Sequence, residues 1–296
     1  MANFCAKEKI TPASFFALGY NYSVPLDKWN ITDAACDYVF VGNKSVDFET
    51  PGTLGVIYNH KTWLTHKKKG YPFVDVKSYL DGCELSEKLN ILYITLPDLS
   101  EELIAKLKTD TTTVLMIDTY NNHGMAEQRK LFIELINNDC NTPVVIGRAY
   151  GDLSLTQLQL QAATDMGALL IDGLGDGISV AAESCGGDKS VNETAFGILQ
   201  ASRTRISKTE YISCPSCGRT LFDLQETTAK IRAVTSHLKG LKIGIMGCIV
   251  NGPGEMADAD YGYVGTGMGK ITLYKEKEVI ERNIPESEAV DSLIGL

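Results

Sequence analysis

The sequence predicts an α/β protein with two domains. A barrel-like parallel α/β domain, either a complete or an incomplete barrel, is expected over residues 1–208, and a smaller α/β domain over residues 209–296. In the first 208 residues, short apolar runs alternate with amphipathic stretches, which is typical of parallel α/β folds. After that point the pattern changes to one helix followed by closely spaced strands. A length of 296 residues also suffices for two domains.

The first domain contains eight candidate strands. Several of them, such as Tyr38–Gly42, are apolar on both faces, as is usual for strands buried between two layers. Amphipathic helices are predicted at Ser100–Lys108 and Met125–Asn137. Eight strands fit a compact TIM-type barrel, and an open doubly wound sheet is the alternative. The predicted strands are Phe15–Tyr20, Tyr38–Gly42, Leu54–Tyr58, Tyr71–Val76, Asn90–Thr95, Thr113–Asp118, Pro143–Gly147 and Ala168–Asp172.

The second domain is predicted from its capping residues and apolar runs. Asp223 can cap a helix that runs to about His237, and a strand over Leu241–Gly247 leads directly to Cys248. Pro285 is expected to open a last helix. Further strands are predicted at Tyr261–Val264, Lys270–Tyr274 and Glu278–Arg282.

The composition is that of an ordinary globular protein, with 44% hydrophobic and 22% charged residues. A net charge of −9 argues against nucleic acid as a partner. No apolar run reaches the length of about eighteen residues that a membrane span needs, and the start Met1–Cys5 does not resemble a secretory signal. Eight cysteines without a small-domain disulfide framework indicate a reducing compartment. We therefore expect a cytoplasmic protein, with a plastid as the alternative.

Three cysteines in two loops shaped by proline and glycine are the most informative feature of the sequence. Cys214-Pro215-Ser216-Cys217 is followed by Cys248-Ile249-Val250-Asn251-Gly252-Pro253-Gly254-Glu255. Thiolates favour iron–sulfur clusters or zinc. A structural zinc site needs four Cys or His ligands, so His237 is a candidate for completing a Cys3His site. A redox disulfide between Cys214 and Cys217 is a further alternative, but it would leave Cys248 without a role.

Glu255 is the other candidate for the fourth ligand. It follows Cys248 by seven residues, across the turn Asn251–Gly254. A hard carboxylate is a poorer ligand for a thiophilic iron than a thiolate is, and it is therefore replaced more easily. Three cysteines and a glutamate thus describe a cluster with one exchangeable iron, which can bind substrate as well as carry electrons. A plain electron-transfer cluster would have a fourth cysteine.

The segments Cys214–Leu224 and Ile245–Glu255 closely resemble the C-terminal cluster domain of the 4-hydroxy-3-methylbut-2-enyl diphosphate synthase family. The resemblance is specific from about Asp165 onward and weaker before it. It implies that Asn251 orients the ligand loop or hydrogen-bonds the substrate, and that Glu255 can leave its iron to admit substrate. It also implies a [4Fe–4S] cluster held by Cys214, Cys217, Cys248 and Glu255.

The resemblance further implies an iron–sulfur oxidoreductase of non-mevalonate isoprenoid biosynthesis, acting on a CH or CH2 group. The family reductively opens 2-C-methyl-D-erythritol 2,4-cyclodiphosphate and removes a hydroxyl to give 4-hydroxy-3-methylbut-2-enyl diphosphate, with ferredoxin or flavodoxin as electron donor. Its long members carry a barrel-like insert between a substrate-binding barrel and the cluster domain, and no segment here matches the substrate barrel. We therefore expect a C-terminal portion that is inactive by itself. An electron-transfer or scaffold module without catalysis is the alternative, and a homodimer is left open.

Four other features each allow two interpretations. Leu169–Gly177 is predicted to be a strand that enters a glycine-rich turn, which is either a structural loop or a phosphate site. Gly265–Gly269 is predicted to be a turn in a sheet rather than a dinucleotide-binding loop. The basic residues Arg203, Arg205 and Lys208 either end a solvated helix or border a site for an anion or an acidic electron carrier. Turn caps or catalytic carboxylates are expected after strand ends, at Asp75, Asp118, Asp152 and Asp172.

Overall fold

The chain folds into two compact units, Met1–Arg205 and Ile206–Leu296. The structure, a computed structural model, describes residues 1–7, 9–66, 69–182, 185–250 and 252–296. Each unit has its own sheet and its own hydrophobic core. Within the described ranges, no helix combines the length and the apolar character needed to cross a membrane.

The first unit is built on a parallel sheet. Its strands are β1 Ala2–Asn3, β2 Tyr20–Ser23, β3 Lys28–Ile31, β4 Tyr38–Gly42, β5 Gly55–Asn59, β6 Tyr71–Asp75, β7 Asn90–Ile94, β8 Thr113–Ile117, β9 Val144–Tyr150 and β10 Gly177–Ala182. Strands β2 and β3 pair with each other as a separate antiparallel hairpin. The other eight form one sheet in the order β1-β4-β5-β6-β7-β8-β9-β10, and all of their pairings are parallel.

This sheet is nearly closed into a barrel. The Met1 nitrogen, just before β1, donates a hydrogen bond of 2.8 Å to the carbonyl oxygen of Ile178 in β10, the strand at the opposite edge. The strand order also follows the chain order, as it does in TIM-type barrels. The predicted barrel-like parallel α/β fold is therefore confirmed.

The helices of the first unit follow the strands. They are α1 His60–Thr65, α2 Val76–Leu80, α3 Glu101–Leu107, α4 Gly124–Asn137, α5 Leu155–Ala162, α6 Ala168–Ile171 and α7 Gly187–Ala201. Helices α3 and α4 confirm the two helices expected from amphipathic spacing. Ser100 begins α3 by accepting a hydrogen bond of 3.2 Å from the Leu103 backbone N–H, which satisfies one of the unpaired donors of the first turn.

The predicted strand Phe15–Tyr20 is wrong over most of its length. The structure has a 3₁₀ helix at Pro12–Leu18 instead, and proline favours the first position of a helix. Phe15 and Leu18 are buried while Phe16 is 59% exposed. A spacing of three residues between buried side chains matches one 3₁₀ turn, whereas a strand would bury every second residue.

The predicted strand Ala168–Asp172 is also wrong, because the stretch is mostly helical. Helix α5 continues through a π-helical turn, Ala163–Gly167, into α6. Leu169 and Leu170 are buried while Ile171 is 72% exposed, a one-sided pattern that suits a helix. The last strand of the sheet is instead β10, for which no strand was predicted.

The glycine-rich segment Gly173–Gly177 consequently leads into the amino end of β10 instead of leaving the carboxyl end of a strand. Barrel enzymes bind their substrates at the carboxyl ends, so the phosphate-site interpretation loses its structural basis. Gly173 and Gly175 turn the chain with positive φ values of 77° and 94°. Asp176 fixes the loop by accepting a hydrogen bond of 2.8 Å from the Val144 backbone N–H. The segment is a structural loop.

Two apolar layers hold the barrel together. Inside it, Phe40, Ile57, Ile91 and Met116 form a buried cluster, and the Phe40 and Phe73 rings lie 4.6 Å apart. Outside it, alternate residues of the same strands pack against the helices. That outer core includes Leu92, Ile94, Leu115, Ile117, Leu103, Leu107, Leu131 and Leu135. Strands apolar on both faces thus serve two cores at once, as their sequence predicted.

Among its described residues, the second unit combines a mixed sheet with three helices. Its strands are β11 Glu210–Ser213, β12 Lys242–Met246, β13 Tyr261–Gly267, β14 Lys270–Lys275 and β15 Glu278–Pro285, and its helices are α8 Leu224–Thr235, α9 Gly252–Glu255 and α10 Glu286–Ile294. The sheet order is β11-β12-β13-β14-β15; the first two pairings are parallel and the last two antiparallel.

The predicted elements of this unit are confirmed. The Asp223 side chain caps α8 by accepting a hydrogen bond of 2.9 Å from the Glu226 backbone N–H. Ile231 of α8 and Leu293 of α10 pack in one buried cluster with the sheet residue Ile245. The predicted turn within Gly265–Gly269 connects β13 to β14 as a hairpin.

Candidate metal centre

The carboxyl ends of β11 and β12 bring the two cysteine motifs together. The strands are parallel, with Ser213 opposite Ile245, so both chains leave the sheet at the same edge. Cys214 is the first residue after β11, and Cys248 follows β12 after a single glycine, Gly247. The short helix α9 then places Glu255 beside them. Placement on strand ends gives these side chains a rigid base.

One cavity of about 120 Å³ lies at this edge. All four residues predicted as cluster ligands line it. Asn251, the other predicted site residue, lies outside the described residues. His237, the alternative zinc ligand, does not appear among the described residues around the cavity. The lining consists of Cys214, Pro215, Ser216, Cys217, Arg219, Met246, Cys248, Gly252 and Glu255.

The arrangement differs from a site for a single ion. Among the described residues, no three His, Cys, Asp or Glu side chains converge closely enough to hold one metal ion. A [4Fe–4S] cluster has four irons, each of which takes its own protein ligand, so its donors surround a volume instead of meeting at a point. Three thiols and one carboxylate around one cavity fit that requirement. The donor set is therefore compatible with a cluster and a poor match to structural zinc.

Backbone hydrogen bonds position the first thiol. The Gly247 N–H donates to Cys214 Sγ at 3.3 Å, and the Cys214 N–H donates to the Ile245 carbonyl oxygen at 3.3 Å. The first of these bonds would place a donor on a ligand sulfur, and such donors are one of the means by which proteins set cluster potentials.

Thr220 organises the loop that carries Cys217. Its hydroxyl oxygen accepts a hydrogen bond of 3.0 Å from the Cys217 backbone N–H and lies 3.1 Å from the Ser216 hydroxyl. Its own N–H donates to the Cys217 carbonyl oxygen at 3.0 Å, which closes the turn. Ser216 adopts a positive φ of 66°, so this turn is strained and depends on those bonds.

Gly247 is required by the close approach of its neighbours. A Cβ at this position would lie 2.8 Å from both Cγ2 and Oγ1 of Thr220. From the adjacent strand, a Cβ on Gly265 would lie 2.6 Å from the Gly247 carbonyl oxygen. Glycine at both positions lets the cysteine loop, β12 and β13 meet beneath the cavity.

The Cys217 thiol is exposed and faces a positive charge. The backbone N–H and the side chain of Arg219 hydrogen-bond to it and lower the pKa of the thiol below its ordinary value. A lowered pKa favours the thiolate, which is the form that binds metal. Thr220 and Arg219 follow the C-x2-C motif directly, but their roles depend on side-chain contacts, and sequence reasoning missed both.

Apart from Lys208, the remaining polar residues singled out in the sequence lie in the first unit. Asp75 caps α2, accepting a hydrogen bond of 2.9 Å from the Ser78 backbone N–H, which confirms the turn-cap interpretation for this residue. Asp172 forms a surface ion pair of 2.6 Å with Arg129. Arg205 pairs with Asp37 in the same unit. These contacts give structural roles to Asp75 and Asp172 among the predicted carboxylates, and to Arg205 among the predicted basic residues.

Asp118 is the exception among these carboxylates. It follows β8 at the carboxyl end of the barrel, where burial raises its pKa. The Thr119 N–H donates to it at 2.8 Å, and the Tyr93 hydroxyl lies 3.4 Å away. A partly buried carboxyl beside a phenol is chemically distinctive, but both groups are already engaged with each other.

Comparison with known proteins identifies the class to which this combination of units belongs. Residues 210–296 match the family model described as GcpE protein C-terminal domain. The segment covers the whole second sheet, including both cysteine loops and Glu255. The second unit therefore carries a GcpE C-terminal domain.

Curated relatives extend the match into the barrel-like unit. The chain is 46% identical over 260 residues to 4-hydroxy-3-methylbut-2-en-1-yl diphosphate synthase (flavodoxin) of Parabacteroides distasonis, with 88% of this chain and 42% of the relative covered. The protein of the same name from Bacteroides thetaiotaomicron is 53% identical over 258 residues, covering 87% and 42%. The chloroplastic, ferredoxin-named enzyme of Arabidopsis thaliana is 55% identical over 201 residues, covering 66% and 27%.

These matches confirm the resemblance to the 4-hydroxy-3-methylbut-2-enyl diphosphate synthase family. They also define its extent, because the chain spans about 42% of the length of the first relatives. The names of the relatives give the activity and the electron donor of those longer proteins.

Proposed function

We propose that this chain carries the [4Fe–4S] centre of a 4-hydroxy-3-methylbut-2-enyl diphosphate synthase. The observation that carries the proposal is the convergence of four predicted ligands, Cys214, Cys217, Cys248 and Glu255, on one cavity. The donor types suit a cluster, and the relatives that match most of the chain are named for an enzyme that uses flavodoxin or ferredoxin. Zinc would leave the exposed carboxylate of Glu255 unexplained.

The residues of this site would have separate roles. The three cysteines would hold the cluster as thiolates, and the Gly247 N–H would keep Cys214 in place. Glu255 would occupy the remaining corner from the end of a four-residue helix, where an exposed carboxylate can turn away without disturbing the sheet. When bound, the cluster would supply one-electron transfer together with one iron that exchanges its carboxylate ligand.

The names of the same relatives support an assignment of the substrate. We infer that the reaction is the reductive ring opening and dehydroxylation of 2-C-methyl-D-erythritol 2,4-cyclodiphosphate, with two electrons delivered one at a time by flavodoxin or ferredoxin. The chain spans less than half of the relatives' length. Diphosphate binding and positioning account for a large part of such a rate. We therefore propose that this chain assembles the cluster but does not turn over the cyclodiphosphate without the remainder of the enzyme, including its substrate-binding barrel.

Anaerobic reconstitution with iron and sulfide tests the proposal. The chain should bind about four irons and four sulfides and become brown. Cys214→Ser, Cys217→Ser and Cys248→Ser should each lose most of the cluster. Cys83→Ser is the matched control, because this partly exposed thiol belongs to the barrel-like unit and should leave the iron content unchanged.

Two outcomes would overturn the proposal. Stoichiometric zinc with no iron after reconstitution would reject the cluster. Substantial turnover of the cyclodiphosphate by this chain alone would show that the barrel-like unit had been misassigned, since it would then have to bind the diphosphate.

A further inference from the structure

Arg219 has a position that the proposed ligand set does not explain. It is the one basic side chain among the described residues that line the cavity. Its backbone N–H, its side chain and its charge also act on the Cys217 thiol, whose pKa they lower. Arg219 is itself exposed, so the guanidinium lies at the mouth of the cavity, near the one exposed thiol among the predicted ligands.

The charge of the donor set makes the position of Arg219 relevant to electron uptake by the centre. With a cluster bound, three thiolate ligands and a carboxylate would make the site anionic, and each electron taken up would add another negative charge. A guanidinium keeps its proton at any pH at which the protein is folded, so its positive charge is permanent. A fixed cation near a redox centre stabilises the reduced state more than the oxidised state, because the reduced state is more negative.

A hydrogen bond to the ligand sulfur acts in the same direction. Donors to cluster sulfurs withdraw electron density and raise the reduction potential, as do nearby positive charges. The cavity mouth is exposed, so solvent screens the charge and limits its effect. The guanidinium of Arg219 supplies both a hydrogen-bond donor and a positive charge.

We propose that Arg219 raises the reduction potential of the centre by pairing with the Cys217 ligand, and so eases the uptake of each electron from a low-potential donor. The inference rests on the cluster proposed above. Arg219 acts through Cys217 as a positioning residue and takes no part in bond formation. Removing its charge is expected to lower the equilibrium constant for one-electron reduction about tenfold, which corresponds to about 59 mV.

The test is an anaerobic redox titration of the reconstituted chain, reduced with dithionite and followed by EPR. Wild type is compared with Arg219→Gln and Arg219→Lys, after iron and sulfide have been counted in each sample. Arg219→Gln should keep its cluster and have the lower potential. Arg219→Lys retains the charge and should recover most of the wild-type value.

Arg282→Gln is the matched control for the loss of one arginine. Arg282 is exposed on β15, three strands away from β12 in the sheet. Strands are spaced about 4.8 Å apart, so this charge is about 14 Å from the cavity edge, beyond the screening length of about 8 Å at physiological salt. Its removal should leave the potential unchanged.

The outcomes separate this inference from the proposed function. Wild-type chain that binds no iron–sulfur cluster rejects the function itself. Clusters of equal potential in wild type and Arg219→Gln overturn the role of Arg219 and leave the function standing. Loss of the cluster in both Arg219 variants, with wild type intact, also overturns the inference, because Arg219 would then be needed for assembly.

Discussion

The backbone N–H of Gly247 donates a hydrogen bond to the Sγ atom of Cys214 across 3.3 Å, joining the end of β12 to the end of β11. The two strands are therefore joined by this hydrogen bond to sulfur as well as by the backbone hydrogen bonds between them. Because Thr220 packs against the same glycine, the ladder, the cysteine loop and the first ligand form one connected structure. A change at Gly247 should consequently affect stability and metal binding together.

Gly247→Ala should destabilise the second unit. The new Cβ would lie 2.8 Å from two side-chain atoms of Thr220, so the cysteine loop must shift, at a cost of about 1–3 kcal/mol. Urea unfolding of the metal-free chain should show the loss, and reconstituted iron content should fall. Gly218→Ala is the control, since its Cβ would meet open space. Equal effects of the two substitutions would mean that the contact with Thr220 is unimportant.

Glu255→Cys should make the reconstituted cluster more resistant to air. A fourth thiolate is a stronger ligand for iron than a carboxylate is, so the open corner would be closed. Glu255→Ala should have the opposite effect and shorten the lifetime of the visible absorption in air. Asp258→Cys adds a thiol to the exposed stretch just after α9, outside the cavity lining, and should not protect. Indistinguishable lifetimes in all four proteins would remove Glu255 from the ligand set.

Asp165→Asn should strongly destabilise the barrel-like unit. Asp165 receives a hydrogen bond of 2.9 Å from Arg148 Nε and one of 3.0 Å from the Tyr150 hydroxyl, and the two charged side chains are only 12% and 8% exposed. Neutralising the carboxylate leaves a buried guanidinium uncompensated, at a cost of about 3 kcal/mol or more.

Asp172→Asn provides the comparison for this change. Its ion pair with Arg129 lies on the surface, so its loss should cost less than about 1 kcal/mol. Chemical denaturation monitored by far-ultraviolet circular dichroism measures both variants. A smaller loss for Asp165→Asn than for Asp172→Asn would contradict the structure.

Asp110→Asn should reduce the acid sensitivity of the same unit. Burial acts to raise the pKa of Asp110, but hydrogen bonds from Thr113, Thr112 and Tyr79 outweigh it and lower the pKa to about 2. A carboxyl whose folded pKa is depressed stabilises the fold above its unfolded pKa of about 3.9, and this contribution is lost as pH falls toward 2.

Wild type should therefore lose more stability than Asp110→Asn between about pH 5 and pH 2.5, as measured by urea midpoints at both pH values. Asp81→Asn, at an exposed position that ends α2, should retain the wild-type pH dependence. If the urea midpoints of wild type and Asp110→Asn change equally with pH, the hydrogen bonds from Thr112, Thr113 and Tyr79 do not favour the ionised form of Asp110.

Apolar runs on both faces predicted the strands from β4 to β9, because barrel strands bury side chains on two sides. The same reasoning missed β10, whose sequence from Gly177 to Ala182 is mostly small residues with little apolar signal of its own. Its extended form depends on pairing with β9 along its whole length. The helical Ala168–Ile171 looked like a strand because four apolar residues in succession have no clear period.

The candidate site was more predictable than the barrel. Motif spacing and the resemblance to a known family together singled out four residues that line one cavity, because chemistry restricts which side chains can bind a cluster. No comparable chemical restriction singles out Thr220 and Arg219 in the sequence, because threonine and arginine occur in many loops. Their importance follows from a hydroxyl 3.0 Å from the Cys217 nitrogen and a guanidinium at its sulfur, which only three-dimensional contacts reveal.

The four cavity residues discussed as ligands all come from one uninterrupted stretch of sequence, Cys214 to Glu255, within a unit that begins at Ile206. A short piece of gene thus encodes the entire proposed donor set. Recombination near the boundary at Ile206 would transmit the metal chemistry whole, whereas a crossover inside α8 would separate the C-x2-C pair from Cys248 and Glu255. Inheritance of this chemistry is therefore expected to be all or none, while the barrel-like unit is free to diverge.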